Sequence, residues 1–260
     1  MIEGYTLRQI AAQSGHSVRT VQRIIEYWLK QPPAIYPELS TPRYLIWDGT
    51  FVHGRKGVFA VMDANGFSVI HGAPEMAEGP GHLYPFCLQL KHYGLIPTSA
   101  TVDGNPHLMR ILRLLWPGIS IQRCLVHIQR QGLMWCRRYP KRTDAKHLRA
   151  LFLKVMTVHT LADRDRFVSK VRSWERRFGP RITGSQETGW VFSDLKRARS
   201  MLLAALPDMF RYLDDPRIPT SSNALEGYFA RLKQRYRQHR GLASHHRDNY
   251  FRWYLHLCPR

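Results

Sequence analysis

Three carboxylates in this sequence stand where they could hold divalent cations. Asp48 follows the apolar run at 44–47 and precedes Gly49; Asp103 follows the run at 99–102 and precedes Gly104. A carboxylate at the end of a buried strand projects to where water and cations can reach it. Glu226, in Ser221-Ser222-Asn223-Ala224-Leu225-Glu226-Gly227-Tyr228-Phe229, offers a third acid from the first turn of a helix. Three carboxylates suit two-metal phosphoryl transfer. Hard cations such as Mg²⁺ take oxygen ligands, and two of them about 3.5–4 Å apart can activate a nucleophilic oxygen and steady the leaving one. Each acid also has a plainer use. Asp-Gly is a common turn dipeptide, and Glu226 could offset the helix dipole or complete a capping box with Ser222. Finding both Asp-Gly pairs at strand ends weighs against the turn reading. Cys124 and His127 are two soft or borderline ligands at a short spacing. A zinc site would need two more ligands, with Cys136 and His147 nearby, and ordinary packing of a small thiol and a core histidine is the plainer alternative. The rival acids are expected to be inessential: Asp63 in a hairpin turn, Glu75 and Glu78 in a loop, and Asp214-Asp215 in a turn before Pro216.

The charge balance narrows the substrate. Over 260 residues, 39 Lys and Arg stand against 19 Asp and Glu, a formal net charge of +20. With 44% hydrophobic and 12% aromatic residues the chain can bury a substantial core, which excludes wholesale disorder. No apolar run reaches the roughly 18 to 20 residues of a spanning helix, and the first residues lack the pattern of a signal peptide. Four scattered cysteines form no disulfide framework and no Cys-x-x-Cys pair. These features predict a soluble, cytosolic protein with no membrane role and a polyanionic partner, nucleic acid ahead of a membrane surface.

The elements that must carry the acids can be read from periodicity. Between Tyr5 and Lys30, apolar residues recur at helical steps around Gly15, predicting two short helices capped by Thr6 and Ser17. Ala11 is expected where they meet, with Val18 and Val21 buried. Pro32-Pro33 stops the second helix and opens a linker running through Pro37 and Pro42. Runs at 44–47, 57–62 and 67–71 predict an antiparallel meander, its last two strands joined by a turn at 63–66. A helix at 83–92, a strand at 99–102, a helix at 106–115 and a strand at 119–124 complete a mixed α/β sheet. From 127 to 212 the spacing is helical, with breaks near Gly179-Pro180 and at 184–189. The last helix is read at 222–238, closing with His239-Arg240-Gly241. Along it Arg231, Lys233, Arg235, Arg237 and Arg240 alternate with Phe229 and Tyr236, so the acid Glu226 lies beside a basic run suited to phosphates.

Together, Trp47-Asp48-Gly49-Thr50, Val102-Asp103-Gly104, Cys124-Leu125-Val126-His127 and Asn223-Ala224-Leu225-Glu226-Gly227 resemble the DDE transposases of the Mutator-like group of bacterial insertion sequences, over about residues 43–245. The resemblance implies an RNase H-like catalytic domain at 43–260, with an all-helical insertion at about 139–220 before the glutamate helix. It implies that Asp48, Asp103 and Glu226 are catalytic and hold two Mg²⁺ ions, with Mn²⁺ as a substitute. Cys124 and His127 would be the family's signature pair, with His127 beside the acids where it could contact the scissile phosphate and Cys124 packed beneath. Residues 1–31 resemble a helix-turn-helix, whose second helix would present Ser17, Arg19, Thr20 and Arg23 to DNA. Arg231, Lys233, Arg235 and Arg237 would add backbone contacts. The partners implied are double-stranded DNA, at element ends and target, and further copies of the chain as a dimer or larger. The alternative is a catalytically silent relative that acts as a DNA-binding regulator.

Overall fold

The computed structural model describes residues 1–34, 39–53, 56–239 and 241–260; Pro37 and Arg240 lie outside them. The protein is α/β, with ten α-helices among these residues and one five-stranded sheet in the order β3-β2-β1-β4-β5. The sheet is mixed. β1 (Pro42–His53), β2 (Lys56–Asp63) and β3 (Ser68–Met76) form an antiparallel meander, whereas β4 (Ile96–Val102) and β5 (Ser120–Arg123) run parallel. Among the described residues no helix is long and apolar enough to cross a membrane. The chain forms two compact units: Met1–Thr98, Asn105–Ile119 and Asn223–Arg260 in the first, Ser99–Gly104 and Ser120–Ser222 in the second.

In the first unit, α1 (Leu7–Ser14) and α2 (Val18–Leu29) start where side-chain oxygens satisfy backbone N–H groups. Thr6 forms a reciprocal capping box with Gln9, and Ser17 accepts from the Thr20 N–H at 3.1 Å. Gly15 turns the chain between them at φ +70°, a conformation that costs glycine little. Ala11 and Val21 are buried as expected, but Val18 is 42% exposed. At the first position of α2 its side chain lies over the open end of the helix rather than along the buried stripe. β1 is much longer than the expected strand at 44–47. Its Asp48-Gly49 pair continues in register against Ala60 and Phe59 of β2, so strand pairing overrides the turn preference of Asp-Gly. α3 (Pro80–His92) starts with proline at its first turn, where no N–H is needed, and packs with α4 (Pro106–Leu115).

Two helices cover one face of the meander: α9 (Asn223–Arg237) packs on β1, and α10 (Ser244–Leu257) on β3. Ile46, Val58, Ala60 and Met62 from the sheet join Leu225, Tyr228, Phe229 and Leu232 from α9 and Tyr250, Phe251, Tyr254 and Leu255 from α10 in one core. α9 was therefore not the last helix. Tyr250, Phe251, Tyr254 and Leu255 already carry the spacing of a buried helical face, but the intervening His, Arg and Asn residues mask it. Glu75 is a second correction: it lies within β3, at φ +58°, rather than in a loop.

The second unit is a helical assembly attached to β5. α5 (Leu125–Cys136), α6 (Thr143–Lys154), α7 (Leu161–Gly184) and α8 (Trp190–Ala205) surround a core that includes Ile128, Leu148, Phe152, Phe167, Trp174, Phe192, Leu195 and Leu202. Gly132 lets α5 and α6 approach: a Cβ there would lie 2.3 Å from the Phe152 ring. The break expected near Gly179-Pro180 is absent, because α7 runs through both residues. Pro180 forfeits one helical N–H near the end of α7, and burial of Phe167, Val171, Trp174 and Ile182 offsets that loss.

Candidate active site

Asp48 lies on the face of β1 that α9 covers, and Glu226 stands in the first turn of α9. Residues two apart in a strand point the same way, so Asp48 lies on the face of β1 that carries Ile46, and Ile46 packs among Leu225, Tyr228, Phe229 and Leu232 of α9. Glu226 stands next to Leu225 in the first turn of α9, where the positive end of the helix dipole favours a carboxylate. The opposite face holds Trp47, 6.2 Å from Trp116 between ring centroids. Asp48 was expected at an exposed strand end; it lies inside β1 and is only 8% exposed. Its Oδ1 accepts the Gly49 N–H at 2.8 Å. Glu226 is half-buried, with Oε1 shielded from solvent.

Asp103 follows β4 directly, as expected, and belongs to the second unit. Its neighbour there is Arg123, opposite Val102 in the β4–β5 register, whose Nη2 donates to the Asp103 carbonyl at 3.2 Å. Burial lowers the Arg123 pKa, opposed by the charges of Asp103 and Asp208. Gly104 fits this corner because it stands at φ +104° and because a Cβ would lie 2.0 Å from Arg123 Nη2. Sequence reasoning missed Arg123. The available signal was a lone cation in a strand that is otherwise buried.

Cys124 is buried, as expected, at the start of α5. Its Sγ accepts from the Ser222 N–H at 3.4 Å and from the Ser222 hydroxyl at 3.6 Å; that hydroxyl also lies 3.4 Å from His127 Nδ1. Burial alone would raise the thiol pKa. Hydrogen bonds from His127 and Ser222 outweigh it, so the net shift is downward. The pair thus clasps the residue just before α9. The zinc alternative finds no support in its other candidates: Cys136 packs in the helical core, where burial pushes its thiol up to about 12, and His147 stands edge-on to Phe178. Among the described residues no three His, Cys, Asp or Glu side chains form a ready-made metal group.

Neither the family models nor the curated proteins contain a match to the chain.

The basic residues read as DNA contacts divide into two sets. Ser17, Arg19 and Arg23 are exposed and Thr20 half-buried on α2, with Ser17 Oγ and Thr20 Oγ1 2.9 Å apart. On α9, Arg231 and Arg237 are exposed and Lys233 is half-buried, whereas the Arg235 guanidinium donates to the Glu3 carbonyl. Arg231 lies 5.8 Å from the centroid of the Tyr228 ring. Phe229 and Tyr236 face the core, so they serve packing. Of the rival acids, Asp63 pairs with Arg43 at 2.7 Å and accepts the Asn65 N–H at 2.9 Å, which fits a turn role. Asp215 likewise accepts the Arg217 N–H at 3.1 Å.

Proposed function

We propose that this chain is a DDE transposase with an RNase H-like catalytic domain, binding the ends of an insertion sequence and catalysing DNA strand cleavage and strand transfer. The observation that supports this best is Asp48 on the face of β1 that α9 covers, with Glu226 in the first turn of that helix. Asp48, Asp103 and Glu226 would be the metal ligands. Three carboxylates are a donor set suited to Mg²⁺ or Mn²⁺, and the basic composition supplies phosphate binding around them. Bound in a pair, such ions supply Lewis-acid activation of the attacking oxygen and charge stabilisation of the leaving one.

The chain's own residues define the rest of the work. The Gly49 N–H donates to Asp48 Oδ1 and so holds that carboxylate. The Arg123 bond to the Asp103 carbonyl orients the Asp103-Gly104 corner. The clasp of Cys124, His127 and Ser222 fixes the last residue before α9. α1 and α2 would act as a helix-turn-helix that reads element ends through Ser17, Arg19, Thr20 and Arg23. Arg231, Lys233 and Arg237 would meet backbone phosphates, and joining two ends would call for a dimer or larger.

The test is an end-cleavage assay on DNA carrying the element's own termini. Replacing Asp103 or Glu226 singly with Ala should abolish cleavage and leave end binding intact; retained cleavage removes that residue from the site. Deleting residues 1–30 should lower binding to element ends more than binding to unrelated duplex. Specific end binding by the intact chain with no cleavage in Mg²⁺ or Mn²⁺ would instead support a DNA-binding regulator.

A further inference from the structure

The helical second unit exposes two aromatic rings that its own packing does not use. Trp190 is 82% exposed and Tyr139 80%, the highest values among the large hydrophobic residues described. Tryptophan is usually well buried, so such exposure calls for an explanation. Both rings stand on a firm base. Tyr139 lies in the loop between α5 and α6, and Trp190 is the first residue of α8, beside half-exposed Val191.

Two cross-links join these segments. Arg142 donates to both carboxylate oxygens of Glu187 at 2.6 and 2.7 Å, and Arg137 donates to Asp194 at 3.0 Å. Two cations also flank the core side of α8, with Arg142 5.1 Å and Lys196 4.7 Å from the centroid of buried Phe192. The acids here are engaged in ion pairs: Asp144 and Glu187 with Arg142, and Asp194 with Arg137 and Arg197. Arg138 and Lys141 add exposed charge, and the Arg138 guanidinium lies 5.3 Å from the Tyr139 ring centroid. The patch is therefore aromatic and cationic together.

We infer that Trp190 and Tyr139 form a stacking platform for unpaired DNA bases, with the surrounding arginines and lysines holding the adjacent phosphates. This rests on the proposed transposase function. Charge selects a polyanion, and a ring with a free face selects a partner with free faces of its own. Bases inside an intact duplex have none to offer; bases at an opened or distorted end do. The two ion pairs tie the loop that carries Tyr139 to the segment that leads into Trp190.

The test measures the affinity of the full chain for two fluorescein-labelled duplexes of one sequence, fully paired or with three unpaired bases at one end. The wild type should prefer the opened duplex. Trp190→Ala and Tyr139→Ala should each weaken binding to the opened duplex by about 5- to 150-fold. Binding to the paired duplex, carried by phosphate contacts, should change less than about 2-fold. Trp190→Phe should restore most of the loss. Equal affinity of the wild type for both duplexes overturns the platform and leaves the proposed function standing, whereas failure to bind either duplex overturns both. Loss of self-association by Trp190→Ala in sedimentation, with both DNA affinities unchanged, overturns the platform and assigns the rings to contact between copies.

Discussion

Replacing Gly104 with alanine tests the packing that sets the backbone beside Asp103. The substitution meets two obstacles. At φ +104° an L side chain is strained, which costs about 1–3 kcal/mol. The new Cβ would also lie 2.0 Å from Nη2, 2.1 Å from Cζ and 2.4 Å from Nε of Arg123, so the guanidinium must move. Arg123 is only 7% exposed, and moving it breaks the 3.2 Å bond to the Asp103 carbonyl. A charge-assisted bond of this kind contributes about 1.5–3 kcal/mol. Together Gly104→Ala should cost about 2.5–6 kcal/mol in urea unfolding followed by far-UV circular dichroism. Arg123→Ala removes the guanidinium and the atoms that the new Cβ would overlap. In that background only the backbone strain remains, so Gly104→Ala should cost about 1–3 kcal/mol, a coupling of about 1.5–3 kcal/mol between the two sites. A cost below about 1 kcal/mol, or an equal cost in both backgrounds, would refute the reasoning.

Two further outcomes follow from partly buried titratable groups in the first unit. Burial, with the charge of Glu75 next, raises the Asp248 pKa in the folded state. A raised carboxyl pKa contributes stability that is full below the unfolded value of about 3.9 and is lost as pH rises through the folded value. Asp248→Asn should therefore raise the melting temperature at pH 8, with the gain shrinking towards pH 4; a lower melting temperature at pH 8 contradicts this. His71 stacks on Phe86 at 5.4 Å, and burial, reinforced by Arg252, lowers its pKa to about 4. Its neutral form should persist from pH 7 to pH 5 in NMR, and its contribution to stability should fade as pH drops from about 6.5 through about 4. Titration of His71 near 6.5 would refute that placement.

The parts legible in the sequence were those set by local chemistry. Thr6, Gly15 and Ser17 mark the first two helices because caps and left-handed turns depend on neighbours in the chain. The meander of β1, β2 and β3 follows from β-branched and aromatic runs around 63–66, and Pro106 announces α4. Tertiary effects stayed hidden. The Asp48-Gly49 pair reads as the end of a strand but is carried through β1 by its ladder with Ala60 and Phe59. α7 retains Pro180 because the residues around it are buried, and α10 is obscured by the polar side chains between its core positions. In the site, the presence of Asp48 on the face of Ile46 follows from the period-two spacing of a strand, and Glu226 in the first turn of α9 from helical spacing. Arg123 was missed because its partners, Asp103 and Asp208, come together only when β4, β5 and the chain near 208 fold.

The central claim is that the carboxylate of Asp48 takes part directly in DNA strand transfer, and Asp48→Asn tests it with almost no change in shape. The amide keeps an oxygen to accept the Gly49 N–H, so fold and DNA affinity should remain close to those of the wild type. In a strand-transfer assay with pre-cleaved element ends, target plasmid and Mg²⁺, the wild type should join ends to target. Asp48→Asn should be slower by at least about 1,000-fold, about 4 kcal/mol of transition-state stabilisation. Joining by Asp48→Asn within about tenfold of the wild-type rate would contradict the account.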